Sequence, residues 1–262
     1  MRCHELELDI VHVFLREVIY AQDIYATDPQ HRPSALYLGV SMLEKRSPLE
    51  ESPLRPTITI TRQYGCQGFP LAEELRQILE EKTGEVWNIY EKALLERIGE
   101  DEQLSLKLLK ESRAPSRQPD KLTINIPGSL PHNHIFRKVV KPLISIAEFG
   151  CAIILGRGGA ILTQSLPNCY HFFLEASFEF RAASMGERLM LPLNEAKKHV
   201  KENQNARDKF YKECLNSSIN DYSYYDAIYN NERHSVSEIA WSIIAYVVRD
   251  WQGKGGLGGF TL

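Results

Sequence analysis

Apolar side chains fall along this sequence in two alternating patterns. One is a short run in which apolar residues are continuous or occupy every second position; in the other they recur every three or four residues over a longer stretch. The first spacing marks strands and the second marks helices. Short runs occupy residues 57–61, 86–90, 151–155, 169–174 and 226–229. Helical spacing follows at 70–83, where Leu71, Leu75, Ile78 and Leu79 recur before Gly84, and at 135–149 through Val139, Val140, Leu143, Ile144 and Ala147. It returns at 160–166, from Phe178 onward, over 194–214 as one helix or a pair, and at 235–248, where Ser235 or Ser237 is placed to cap the start. Cys151-Ala-Ile-Ile-Leu155 is apolar at every position, which suits a strand buried on both faces. Such strands alternating with helices build a parallel sheet. The expected fold class is therefore α/β, a three-layer parallel sheet covered by helices.

The remaining segments are less regular. Residues 1–55 read as an N-terminal helical extension and linker, with Leu6, Ile10, Val13 and Phe14 on one amphipathic face and three prolines between 46 and 56. The main domain is expected over 56–250. Further helical pieces are expected at 91–98 and 104–109, followed by an irregular stretch with a strand-like run at 122–126. Residues 251–262 are glycine-rich and read as a flexible tail.

Composition narrows the class without naming it. A chain of 262 residues that is 43% hydrophobic can bury a large core. A net charge of −3 and a pI near 6.3 give no general attraction to nucleic acid or to anionic membrane, so neither is expected as a partner. Cys3, Cys66, Cys151, Cys169 and Cys214 are odd in number and lack close spacing, which argues against a disulfide framework or a zinc site. Among eight histidines only His132 and His134 stand close, and no metal site is expected. No long apolar segment is present, and the cytoplasm is the expected location.

The stretch 57–72 carries the candidate chemistry. It reads as strand, glycine-bearing turn and helix start, with Pro70 suited to a first helical turn. Backbone N–H groups and a helix N-terminus in that arrangement can face an anion. Measured against the full phosphate-loop pattern, Gln63, Phe69 and Pro70 stand where glycine, lysine and a hydroxyl residue are fixed. On the stretch alone, an ordinary strand-turn-helix connection is the preferred explanation of the glycines. Arg62 is placed to reach the loop or a carboxylate.

Taken with three further stretches, this one resembles the cytidylate kinase-like family of phosphate-loop nucleoside monophosphate kinases. The resemblance is carried by Ile60-Thr-Arg-Gln-Tyr-Gly65 with Gly68, by Ile153-Ile-Leu-Gly-Arg-Gly158, by Phe173-Leu-Glu-Ala176 followed by Phe180-Arg181, and by Tyr225-Asp226 leading to Asn230. It spans about 57–248 and implies a P-loop nucleotide kinase-like fold. It also implies phosphoryl transfer from ATP with magnesium to a nucleoside monophosphate or similar small acceptor. In that scheme Arg62, Gly65, Cys66, Gln67 and Gly68 bind the donor phosphates, Arg157 and Arg188 bind the acceptor, and Arg181 and Arg207 are catalytic. Two departures stand out. Relatives usually carry a more glycine-rich loop with a basic or polar residue after its last glycine, and an aspartate where this chain has Gln204. The alternative is a catalytically degenerate nucleotide-binding protein, acting as a sensor or interaction module.

Overall fold

The central strand of the sheet, β1 (Thr57–Arg62), carries two unlike faces, and the rest of the fold is packed to suit them. A computed structural model of the chain describes residues 55–91, 95 and 134–253. The expectations for residues 1–54, for 92–94 and 96–109, for 122–126 and for the chain beyond 253 lie outside these residues. With β2 (Asn88–Tyr90), β3 (Ala152–Leu155), β4 (Cys169–Glu175) and β5 (Ala227–Asn230), β1 forms a five-stranded sheet of order β2-β3-β1-β4-β5. Each neighbouring pair is parallel. Helices α1 (Gly68–Thr83), α2 (His134–Phe149), α3 (Gly159–Leu162), α4 (Phe178–Leu189), α5 (Leu193–Leu215) and α6 (Val236–Gly253) connect and flank the strands. This is the α/β fold that the alternating pattern predicts.

Side chains alternate across a strand, so one face of β1 carries Ile58 and Ile60 and the other carries Thr57, Thr59 and Thr61. Ile58 and Ile60 are fully buried in a core built with Leu71 and Leu75 of α1, Phe172 and Leu174 of β4, and Ile239 and Ile243 of α6. The threonines are buried too, but each makes a side-chain hydrogen bond. Thr57 Oγ1 donates to the Ala147 carbonyl (2.9 Å), Thr59 Oγ1 bonds His171 Nδ1 (2.8 Å), and Thr61 Oγ1 lies 3.5 Å from the Tyr211 hydroxyl.

Two helix ends differ from the sequence pattern for local reasons. Helix α3 stops at Leu162 rather than running to 166. The Thr163 hydroxyl donates to the Gly159 carbonyl at 2.8 Å, and Pro167 disfavours helical geometry at the residue before it. Helix α5 is continuous over 23 residues. Helix α6 runs to Gly253, and Trp251 joins the apolar core. Its start is a capping box: the Glu238 amide donates to Ser235 Oγ (3.3 Å) while Glu238 Oε2 accepts from the Ser235 amide (2.8 Å).

The chain leaves β1 and β3 on opposite faces. Helix α1 packs on the isoleucine face, whereas α3 starts against Thr59, where a Cβ on Gly159 would lie 3.5 Å from the threonine Cβ. A crevice outside the carboxyl ends of such strands is where open α/β sheets place ligands.

Candidate functional site

The turn between β1 and α1 lies at that edge, and its glycines are required by contact. Gly65 has φ +97°, and a Cβ there would stand 2.6 Å from Arg181 Cβ, so the loop lies flat on the start of α4 only because the residue has no side chain. Gly156 has φ +71° and would place a Cβ 2.6 Å from Arg62 Nη1. On the other side of the same side chain, a Cβ on Gly68 would meet Arg62 Cδ at 3.1 Å. Arg62 therefore threads between the turn that follows β3 and the first residue of α1.

Two more arginines reach the loop. Arg181, 9% exposed, donates from Nε to the Ala176 carbonyl (3.2 Å) and from Nη1 to the Tyr64 carbonyl (3.1 Å). Burial lowers its pKa from the ordinary value, and the Arg207 charge adds to that. Arg207 donates from Nη1 to the Arg62 carbonyl (2.9 Å), and its guanidinium carbon lies 4.8 Å from the centre of the Tyr64 ring. The Cys66 thiol sits in the field of all three. Burial pushes it up to about 12, while Arg181, Arg207 and Arg62 pull it down. A thiol held in this way is protonated at neutral pH.

The structure thus gathers Arg62, Arg181 and Arg207 around Gly65, Cys66, Gln67 and Gly68. Arg157 follows Gly156 at the adjacent turn, with φ +54°, and its guanidinium lies 5.3 Å from the Phe210 ring on α5. Arg188 is exposed in the last turn of α4, two turns beyond Arg181 and about 10 Å further along the helix axis. Its Nη1 approaches Met185 Sδ at 4.0 Å.

Four residues of the site escaped the sequence reading of candidates. The Tyr64 amide donates to Gln204 Oε1 (2.7 Å) and the Tyr64 hydroxyl bonds His199 Nε2 (2.9 Å), which ties the loop to α5 twice. The Gln67 amide donates to Asn231 Oδ1 (2.7 Å), while Asn231 Nδ2 donates to Gln67 Oε1 (3.2 Å). Gln204 had a signal, as a departure from the relatives' aspartate. Asn231 had only its place just after a strand, Tyr64 only its place inside the Ile60–Gly65 stretch, and His199 had none.

The model of the cytidylate kinase-like family matches residues 57–233, from the first residue of β1 to just past β5. The chain belongs to the cytidylate kinase-like family. Membership makes it a kinase-like, nucleotide-binding type of protein. A crystal structure of an uncharacterized protein from Eubacterium ventriosum ATCC 27560 is similar, with a TM-score of 0.59 and 19% identity over 74% of this chain and 99% of that one. That likeness concerns the fold. No curated protein matches the chain.

For a cytidylate kinase-like protein the implied groups are a nucleotide and magnesium, and the residues present fit them unequally. Three guanidinium groups around a helix N-terminus without a side-chain cap suit a phosphate chain. Magnesium fits less well. The positions after Gly68 are Phe69 and Pro70, which bring no hydroxyl, and no group of three or more His, Cys, Asp or Glu is placed to hold a metal among the described residues. Among those residues, no helix is long and apolar enough to cross a membrane.

Proposed function

We propose that this protein is an ATP-dependent phosphotransferase that acts on a nucleoside monophosphate, cytidylate-like, or on a similar small acceptor. The observation that carries the reading is the convergence of Arg62, Arg181 and Arg207 on the 63–68 loop at the carboxyl edge of the sheet. Phosphoryl transfer demands positioning and neutralisation of charge more than covalent chemistry by the protein. Arg62, lying between the loop and the β3 turn, neutralises the donor phosphates. Arg181 and Arg207 approach the loop from α4 and α5, and a guanidinium supplies paired N–H bonds to an oxygen that gains charge. Arg157 at the neighbouring turn is assigned to the acceptor, with Arg188 as a more distant contact. ATP supplies the transferable phosphoryl group; no step is assigned to magnesium, because the loop brings no serine, threonine or carboxylate to it. The reading places the protein in the cytoplasm, where free thiols such as Cys66, Cys151, Cys169 and Cys214 persist.

A second reading, a nucleotide-binding protein without turnover, is favoured by one observation. The amides of Tyr64 and Gln67 are already held by side chains, and the loop has no lysine. An ADP-release assay with ATP, magnesium and a panel of nucleoside monophosphates decides between them. Turnover that falls about 100-fold or more in Arg181→Ala supports the first reading. Ligand-dependent thermal stabilisation with no ADP release supports the second, and neither effect at millimolar nucleotide removes both.

A further inference from the structure

We propose that Gln204 and Asn231 are built-in occupants of the phosphate loop, and that a phosphate chain binds by displacing their carboxamide oxygens and loosening α5. This rests on the phosphate-binding reading of the loop given above. The two oxygens hold the amides of Tyr64 and Gln67, on either side of Gly65 and Cys66, both at 2.7 Å. Each carboxamide is held with its oxygen toward the loop. Gln204 Nε2 donates to Asp208 Oδ1 (2.9 Å), and Asn231 Nδ2 donates to Gln67 Oε1 (3.2 Å). Three further loop amides are turned inward: Gln63 donates to the Leu174 carbonyl (2.9 Å), Cys66 to the Gln63 carbonyl (3.2 Å) and Gly68 to the Cys66 carbonyl (2.9 Å).

The occupants supply acceptor atoms but no charge. The hydrogen bonds of Arg181 and Arg207 among the described residues go to main-chain carbonyls of Ala176, Tyr64 and Arg62, which are neutral as well. A polyanion brings both acceptors and charge, and hydrogen bonds to a charged acceptor are about twice as strong as neutral ones. It therefore has the means to replace the carboxamides. Gln204 sits on α5 between His199, which bonds the Tyr64 hydroxyl, and Arg207, which bonds the Arg62 carbonyl. Displacing it releases one of the ties that hold that helix to the loop, so ligand binding and helix position are coupled.

The test is calorimetric titration of the full chain with inorganic tripolyphosphate and, separately, with ATP. Gln204→Ala and Asn231→Ala are each expected to bind tripolyphosphate about fivefold tighter than the unaltered protein, because a competing hydrogen bond is gone. Gln204→Glu, a charged competitor, is expected to bind on the order of tenfold weaker. Unchanged or weaker binding in both alanine variants overturns the inference and makes these residues bystanders or direct ligand contacts. Should an alanine variant fail to fold, Gln204→Asn, one methylene too short to reach the Tyr64 amide, provides the same comparison. If the unaltered protein binds while no variant gains, the inference alone falls. If neither the unaltered protein nor any variant binds either probe, the phosphate-binding reading falls with it.

Discussion

On one face of β1, Ile58 and Ile60 meet the apolar sides of α1 and α6; on the other, Thr57, Thr59 and Thr61 meet a carbonyl of α2, a histidine of β4 and a tyrosine of α5. Both faces are buried, yet they do different things. Apolar contact is non-directional, so the isoleucine face supplies stability while tolerating small shifts of its helices. A buried hydrogen bond has a required distance and angle, so the threonine face fixes where α2, β4 and α5 lie relative to β1. Helix α5 carries Gln204 and Arg207, and thus the polar face sets the geometry of the loop site.

Four measurements sharpen or break that contrast. The largest expected effect is on the apolar face. Phe172→Ala, at a fully buried position in that core, should cost about 4 kcal/mol in denaturant unfolding. A loss near 1 kcal/mol would mean that this face does not hold the bulk of the stability.

The next is a pH effect confined to the polar face. Burial depresses the His171 pKa to about 4, against the opposing pull of Asp226. The unfolded chain takes up this proton near pH 6.5 and the folded chain near 4, so the contribution is complete above about 6.5 and is lost as pH falls toward 4. About 2 kcal/mol should disappear between pH 7 and 5, and His171→Gln should flatten the profile; an identical profile in that variant would break the assignment.

Smaller again is Thr59→Val, which keeps the shape but leaves the His171 ring nitrogen without its 2.8 Å partner. It should cost about 1–2 kcal/mol, more than Ile58→Val on the opposite face, at about 1 kcal/mol. The reverse order would show that the polar face behaves as ordinary packing. The smallest expected stability effect is Arg207→Ala, under about 1 kcal/mol for a half-buried hydrogen bond at the rim. Its signature lies elsewhere: the thermal stabilisation by ATP should shrink sharply, and an undiminished shift would detach Arg207 from the ligand.

Much of the fold was legible because its signals are local. The run at 151–155 and the spacing of Leu71, Leu75, Ile78 and Leu79 fix their own secondary structure, and alternating strands and helices imply a parallel sheet. Element ends were harder to read. Thr163 and Pro167 shortened α3 through local effects that no periodicity reports, whereas Trp251, four residues after Val247, carried the apolar face of α6 into the start of the glycine-rich segment. Arg62 and Arg181 could be singled out as candidates, but not the contacts they make: the approach of Arg62 to Gly156 and of Arg181 to Gly65 depends on how the strands are ordered.

By itself the sequence determined the rhythm of the elements, the parallel sheet and a glycine turn at the end of its first strand, since each follows from residues close in the chain. It also stated that the loop's amides need acceptors, because every buried N–H does. Only the tertiary structure decided which acceptors they have: Gln204, 140 residues from Tyr64, and Asn231, 164 residues from Gln67. A donor carries no information about a partner that far along the chain; packing α5 against β1, and β5 at the far side of β4, supplied it.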